Sequence, residues 1–75
     1  MNNPELGQLL KEARKAQRLS QFDLQDLSGV SPSVIYKLEK GRTDVALGSL
    51  LAVSGALGIK FSLKSPLDKE IHLNG

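Results

Sequence analysis

Through Leu57 the apolar residues recur at helical spacing, and from Ile59 onward they alternate with polar ones. The first helical stretch opens at Asn3-Pro4. Asparagine there accepts from free backbone N–H groups, and proline at the first helical position gives up no needed donor. Leu6, Leu10 and Ala13 make an inward stripe with Leu9 and Ala16 at its edges, which predicts a helix over 4–17. Ser20 starts a second helix, over 21–28, with Asp23 three residues later at near capping-box spacing. Phe22, Leu24 and Leu27 are its expected apolar anchors. Gly29 ends it, because glycine takes the left-handed backbone that a helix terminus needs. Val30 is expected to tuck inward, and Ser31-Pro32 repeats the cap-then-proline signal. The third helix then runs to about Lys40, with Ile35 and Leu38 as its buried pair beside Val34, and Gly41 terminates it.

A fourth helix is predicted over 47–57, with Leu47, Leu50, Leu51, Ser54 and Leu57 on one face. Gly48 and Gly55 each weaken it by about 1 kcal/mol relative to alanine, so tertiary packing must hold it. Beyond it, Ile59, Phe61 and Leu63 alternate with Lys60, Ser62 and Lys64 and read as one amphipathic strand. No second strand is recognised in the sequence. A lone strand leaves unpaired backbone groups and an apolar face, so its expected partner is the same strand of a second copy. The domain is accordingly drawn over 1–64, with 65–75 as a mobile tail.

At 75 residues the chain is one small domain, expected to be stable by a few kcal/mol and to gain from a partner subunit. There is no cysteine, and the single histidine, His72, has no ligand partner near it, so neither disulfides nor a metal site are expected. Asp23 and Asp26 are explained by capping and solvation, and no phosphate-cradling glycine loop appears, so an enzyme is not expected. No apolar run suffices to span a membrane and no leader pattern opens the chain, which points to a cytoplasmic protein. Net charge is +2, but the span Gly7–Lys64 carries nine basic against five acidic residues, a net of +4 that suits phosphate contact.

The run from Leu19 to Gly41 therefore holds two short helices, each with its own start signal, around a tight turn at Gly29-Val30. That is the sequence form of a helix-turn-helix, which places one helix in the DNA major groove. Leu19-Ser20-Gln21, Leu24, Gly29-Val30-Ser31, Ile35 and Glu39-x-Gly41 resemble the Xre/Cro/phage-repressor type of this domain. Arg14 and Leu57-Gly58-Ile59 match as well, so the resemblance covers roughly Gly7–Ile59. The strand after the fourth helix is similar to that of HipB-type antitoxins, which pair strands across a dimer, repress their own operon and bind a HipA-like kinase toxin.

The resemblance implies an all-α, lambda-repressor-like helix-turn-helix domain of four to five helices, plus one C-terminal β-strand pairing across a homodimer through Ile59, Phe61 and Leu63. It implies a palindromic double-stranded DNA operator with half-sites ~34 Å apart and no cofactor. Ser31, Ser33, Val34 and Lys37 project from the first two turns of the recognition helix and are the candidate base contacts. Lys37 would donate to guanine O6/N7, and Val34 would meet a thymine methyl. Gln21, Tyr36, Lys40 and Arg42 are the candidate phosphate contacts, which set register rather than sequence preference. Lys11, Lys15 and Arg18 are read as ordinary helix-face charges. Arg14 and Glu39 match a buried ion pair that orients the recognition helix.

The chain departs from the resemblance at two positions. Pro32 stands where many relatives carry a base-reading glutamine, which shifts readout to Ser33, Lys37 and DNA shape. Gln25 replaces the small residue usual where the two motif helices approach, and is expected to lie partly exposed. The alternatives to an antitoxin–repressor are a free-standing Xre-type regulator without a toxin, and a toxin-neutralising interaction module with secondary DNA binding.

Overall fold

Each of the first three helices begins where a short polar side chain satisfies free backbone donors. In the computed structural model, which describes residues 2–74, α1 (Pro4–Ala16) starts at Asn3, whose Oδ1 accepts from the Leu6 N–H at 3.1 Å. The α2 helix (Gln21–Ser28) has a complete capping box. Ser20 Oγ accepts from the Asp23 N–H at 2.9 Å, and Asp23 Oδ2 accepts from the Ser20 N–H at 2.8 Å. The second of these bonds is the chief reason the Asp23 carboxyl sits below its ordinary pKa. Gly29 follows in the left-handed conformation at φ +74°. The α3 helix (Pro32–Glu39) is capped by Ser31, whose Oγ accepts from the Val34 N–H at 3.4 Å. The α4 helix (Leu47–Ala56) starts at Ala46 with no side-chain cap. Gln17, Lys40 and Leu57, expected as last helical residues, are instead the C-caps of α1, α3 and α4.

Leu10, Leu24, Val30, Ile35, Leu38, Val53 and Leu57 form the buried core. Around it α1 packs on α3, and α2 packs on both α3 and α4. Two expected apolar anchors lie elsewhere: Phe22 is 69% and Leu27 61% exposed. An eight-residue helix turns only one narrow face inward, and Leu24 occupies it. On α4 the interior is Val53 with Ser54 rather than Leu47, which is exposed. Buried Ser54 meets its hydrogen-bonding need by donating to the Leu50 carbonyl at 2.7 Å. Gln25 is half-buried. The ends of α1 and α4 are tied where Gln17 Nε2 donates to the Leu57 carbonyl at 2.9 Å.

Two glycines allow the closest helix approach. A Cβ on Gly7 would lie 2.5 Å from the Gly41 nitrogen and 2.6 Å from the Glu39 carbonyl oxygen, and one on Gly41 would lie 2.5 Å from the Asn3 oxygen. Gly41 also needs its φ of +79°. The start of α1 thus lies directly on the exit of α3, fastened by the Asn3 N–H donating to the Gly41 carbonyl at 2.6 Å.

The strand expectation requires correction. The segment Ile59–Lys64 is not a lone strand: the strand proper is β1 (Ser62–Lys64), and its partner is β2 (Glu70–His72) of the same chain. The two run antiparallel with Leu63 opposite Ile71. Residues 65–74, expected as mobile tail, carry the turn and the second strand; Gly75 and Met1 lie outside the described residues. In the turn the Ser65 N–H donates to the Lys69 carbonyl at 2.8 Å, Pro66 supplies a fixed φ, and Asp68 adopts φ +59°. Asn74 then clamps the hairpin to the body. Its Oδ1 accepts from the Phe61 N–H at 2.7 Å and its Nδ2 donates to the Ile59 carbonyl at 2.9 Å. Ile59 packs against the core, Phe61 is half-buried and Leu63 is exposed. No helix among the described residues is long and apolar enough to cross a membrane.

Candidate nucleic-acid interface

Helix α3 divides cleanly into two faces. Ile35 and Leu38 are buried, with Val34 and Glu39 half-buried beside them, while Ser33, Tyr36, Lys37 and Lys40 form an exposed stripe at i, i+3, i+4, i+7 spacing. Ser31 stands at the exposed leading end, its hydroxyl occupied as the cap and 3.4 Å from Ser33 Oγ. Val34, a candidate base contact, spends part of its surface against the core. Lys40 Nζ lies 5.3 Å from the Tyr36 ring centroid, a cation–π arrangement that gives this long side chain a preferred place.

What fixes this stripe relative to the body is the Arg14 guanidinium. Its Nε donates to Glu39 Oε2 at 2.7 Å, its Nη2 to Glu39 Oε1 at 3.0 Å, and its Nη1 to the Leu19 carbonyl at 2.7 Å. The paired side chains are only 10% and 6% exposed. Arg14 therefore joins α1 to the end of α3 and to the segment entering α2. The bonds to Glu39 raise the Arg14 pKa further, against the opposing effect of burial. Gln21, at the start of α2, donates from Nε2 to Glu39 Oε1 at 3.4 Å and so borders the same cluster.

Arg42, in the loop after α3, is exposed and already engaged. Its Nε donates to Asp44 Oδ1 at 2.9 Å and its Nη2 donates to Oδ2. These bonds hold the Asp44 carboxyl below its ordinary pKa, with a smaller contribution from the charge of Lys37. Sequence reasoning passed over Asp44; its signal was a carboxylate two residues beyond a candidate phosphate-binding arginine. No cluster of residues suited to hold a metal ion occurs among the described residues.

Over residues 10–64 the sequence matches the Helix-turn-helix family. The chain belongs to it. This helix-turn-helix chain is 39% identical over 57 residues to the Immunity repressor protein of Bacillus phage phi105, covering 76% of this chain and 40% of the repressor. It is 41% identical over 58 residues to the uncharacterized HTH-type transcriptional regulator y4dL of Sinorhizobium fredii, covering 77% of this chain and 30% of that protein. It thus spans well under half the length of both. A second regulator from that organism, y4mF, also uncharacterized, is 32% identical over 62 residues, which cover 83% of this chain and 82% of the regulator. Among solved structures, the restriction-modification controller protein C.AhdI from Aeromonas hydrophila superposes with a TM-score of 0.66 at 39% identity, over 75% of this chain and 85% of that one. The biofilm regulator SinR in complex with DNA gives 0.62 at 29% identity, over 72% and 87%.

Proposed function

We propose that this protein is a sequence-specific DNA-binding transcriptional regulator that acts as a repressor, with α3 as the helix that enters the major groove. The observation that carries the reading is the exposed stripe Ser33, Tyr36, Lys37 and Lys40 on a helix whose opposite face is buried. Such a helix, clamped at its far end by Arg14–Glu39, presents its first two turns outward. Ser33 and Lys37 then reach base edges, with Ser31 and Val34 at the margin of that contact. Tyr36, Lys40, Arg42 and Gln21 meet phosphates. The named relatives, a phage repressor and regulators rather than enzymes, support the same reading.

One monomer offers few phosphate contacts, so the regulator acts as a symmetric homodimer on a palindromic operator with half-sites ~34 Å apart. Leu63 and Ile71, paired on one face of the hairpin and 59% and 60% exposed, supply the surface that a second copy covers, with Phe61 at its inner edge. Ile59, committed to its own core, contributes least. A free-standing repressor is favoured over an antitoxin bound to a HipA-like kinase toxin. The feature that suggested the latter was a strand directly after the fourth helix, similar to one that pairs across a dimer, and here that strand pairs with β2 of the same chain.

Selection from randomised duplexes supplies an operator, and fluorescence anisotropy then compares Lys37→Ala and Ser33→Ala with the parent protein. Lys37→Ala is expected to lower operator affinity by about 1–3 kcal/mol and to relax base preference at one position per half-site. Unaltered affinity and preference in both variants would remove α3 from the role.

A further inference from the structure

Asn74 ties the hairpin to the body with both ends of one amide. Its Oδ1 accepts from the Phe61 N–H at 2.7 Å, and its Nδ2 donates to the Ile59 carbonyl at 2.9 Å and to the Leu51 carbonyl of α4 at 3.5 Å. It lies beside Gly55 of α4, where a Cβ would be 3.9 Å from Nδ2. This place demands an acceptor at one end of the group and a donor at the other, which a primary amide offers. A carboxylate of the same shape has acceptors only. With one oxygen on the Phe61 N–H, its other oxygen faces the Ile59 carbonyl and leaves that carbonyl without its donor. The strands β1 and β2 are three residues each, and a lone two-stranded hairpin is marginal in water. Exchanging the amide nitrogen for oxygen therefore decides whether the hairpin stays docked.

The sequence supplies the means for that exchange. Of the three asparagines, Asn2 precedes Asn3, Asn3 precedes Pro4, and Asn74 precedes Gly75. Proline has no N–H to give up, whereas glycine has no Cβ to hinder its backbone nitrogen. We propose that Asn74 is a self-modifying site, at which deamidation of the clamp amide releases the hairpin. The Gly75 backbone nitrogen attacks Asn74 Cγ. The new C–N bond closes a cyclic imide, and the side-chain nitrogen leaves as ammonia, taking the Gly75 N–H proton. One water then opens the imide to aspartate or, with the backbone rerouted through the side chain, to isoaspartate. Nothing is oxidised or reduced. Ring closure turns the Asn74 side chain back on its own backbone, which the clamp opposes, so the reaction proceeds from the undocked hairpin. The product has no N–H for the Ile59 and Leu51 carbonyls, so a transient opening becomes permanent. Leu63 and Ile71 then lose their fixed place on the body. The modification is independent of the DNA-binding reading; its effect on operator binding rests on the dimer contact proposed for those two side chains.

The test incubates the unaltered protein at mildly alkaline pH and follows each asparagine by peptide mass, with enzymatic methylation of isoaspartate as a second readout. Gly75→Val, which keeps the clamp amide but crowds the attacking nitrogen, is the control, and Asn74→Asp is the product mimic. Conversion is expected at Asn74 ahead of Asn2 and Asn3, and about tenfold or more slower in Gly75→Val. The Leu73 N–H donates to the Phe61 carbonyl at 2.8 Å and reports on the docked hairpin. Its hydrogen exchange is expected to quicken by about tenfold or more in Asn74→Asp, while the amides of buried Leu24 and Ile35 keep parental rates and show that the helical body survives. Equal conversion in the parent and Gly75→Val, or none at Asn74, would overturn the proposed chemistry. Parental Leu73 exchange in Asn74→Asp would overturn the release. Fast Leu73 exchange with parental sedimentation and operator affinity would uphold the site and remove the hairpin from the dimer contact.

Discussion

Asp44 occupies the Nε–Nη2 edge of Arg42 in the unbound protein, so a DNA phosphate that takes that edge must displace a carboxylate. The pair is solvent-exposed, where such bridges contribute little to folding, but its charge lies beside Lys37 and at the edge of the proposed interface. Asp44→Asn is therefore expected to bind duplex roughly two- to fivefold more tightly at low salt, with the gain shrinking as salt rises. Anisotropy across a salt series checks this, and equal affinities would place Arg42 away from the phosphate path. The residues of the α3 stripe were legible in the sequence because Ser31-Pro32 fixes where the helix starts, and hence which positions face outward. Arg42–Asp44 was not, since a bond across a loop depends on loop geometry that no periodicity encodes.

At the scale of elements, helix starts were readable because capping chemistry is local, and the ends differ only by whether the cap residue is counted. Phe22 and Leu27 were misplaced because hydrophobicity alone does not say how narrow a contact a two-turn helix makes. The contact of α1 with the exit of α3 depends on Gly7, a residue visible in the sequence as a glycine inside a helical stretch but not read as a packing device. Gly7→Ala would drive a methyl group into the Gly41 and Glu39 backbone, neither of which is a flexible side-chain end. The expected cost is about 1–3 kcal/mol despite alanine's better helix propensity. Thermal unfolding should show it as a fall of roughly 4–8 °C per kcal/mol for a domain of this size; a rise in melting temperature would refute the close packing. The hairpin also had a sequence signal. Ser65-Pro66-Leu67-Asp68 is turn chemistry, and Ile71 and Leu73 alternate with Glu70 and His72. Three-residue strands are too short to stand out by propensity, and what holds this pair is mutual bonding plus the Asn74 clamp.

For the whole molecule, the hairpin changes how two copies would meet. Because β1 is paired internally, the candidate contact becomes the apolar face carrying Leu63 and Ile71 rather than a strand shared across the interface. Leu63→Asp/Ile71→Asp is expected to sediment as a monomer with operator binding weakened by about tenfold or more, because the gain from joining two half-site contacts is lost. Both side chains are largely exposed, so the fold should survive. An unaltered dimer would move the interface elsewhere on the surface. The planar Arg14 fork has a consequence for association with DNA. It fixes the tilt of α3 through two bonds to Glu39, with a third to the Leu19 carbonyl holding the fork in place, so on the proposed reading little orientational entropy remains to be lost on docking. Lysine, a point charge on a flexible stem, would leave that tilt free to wander. On the proposed reading, the protein meets its target with the angle of insertion already set.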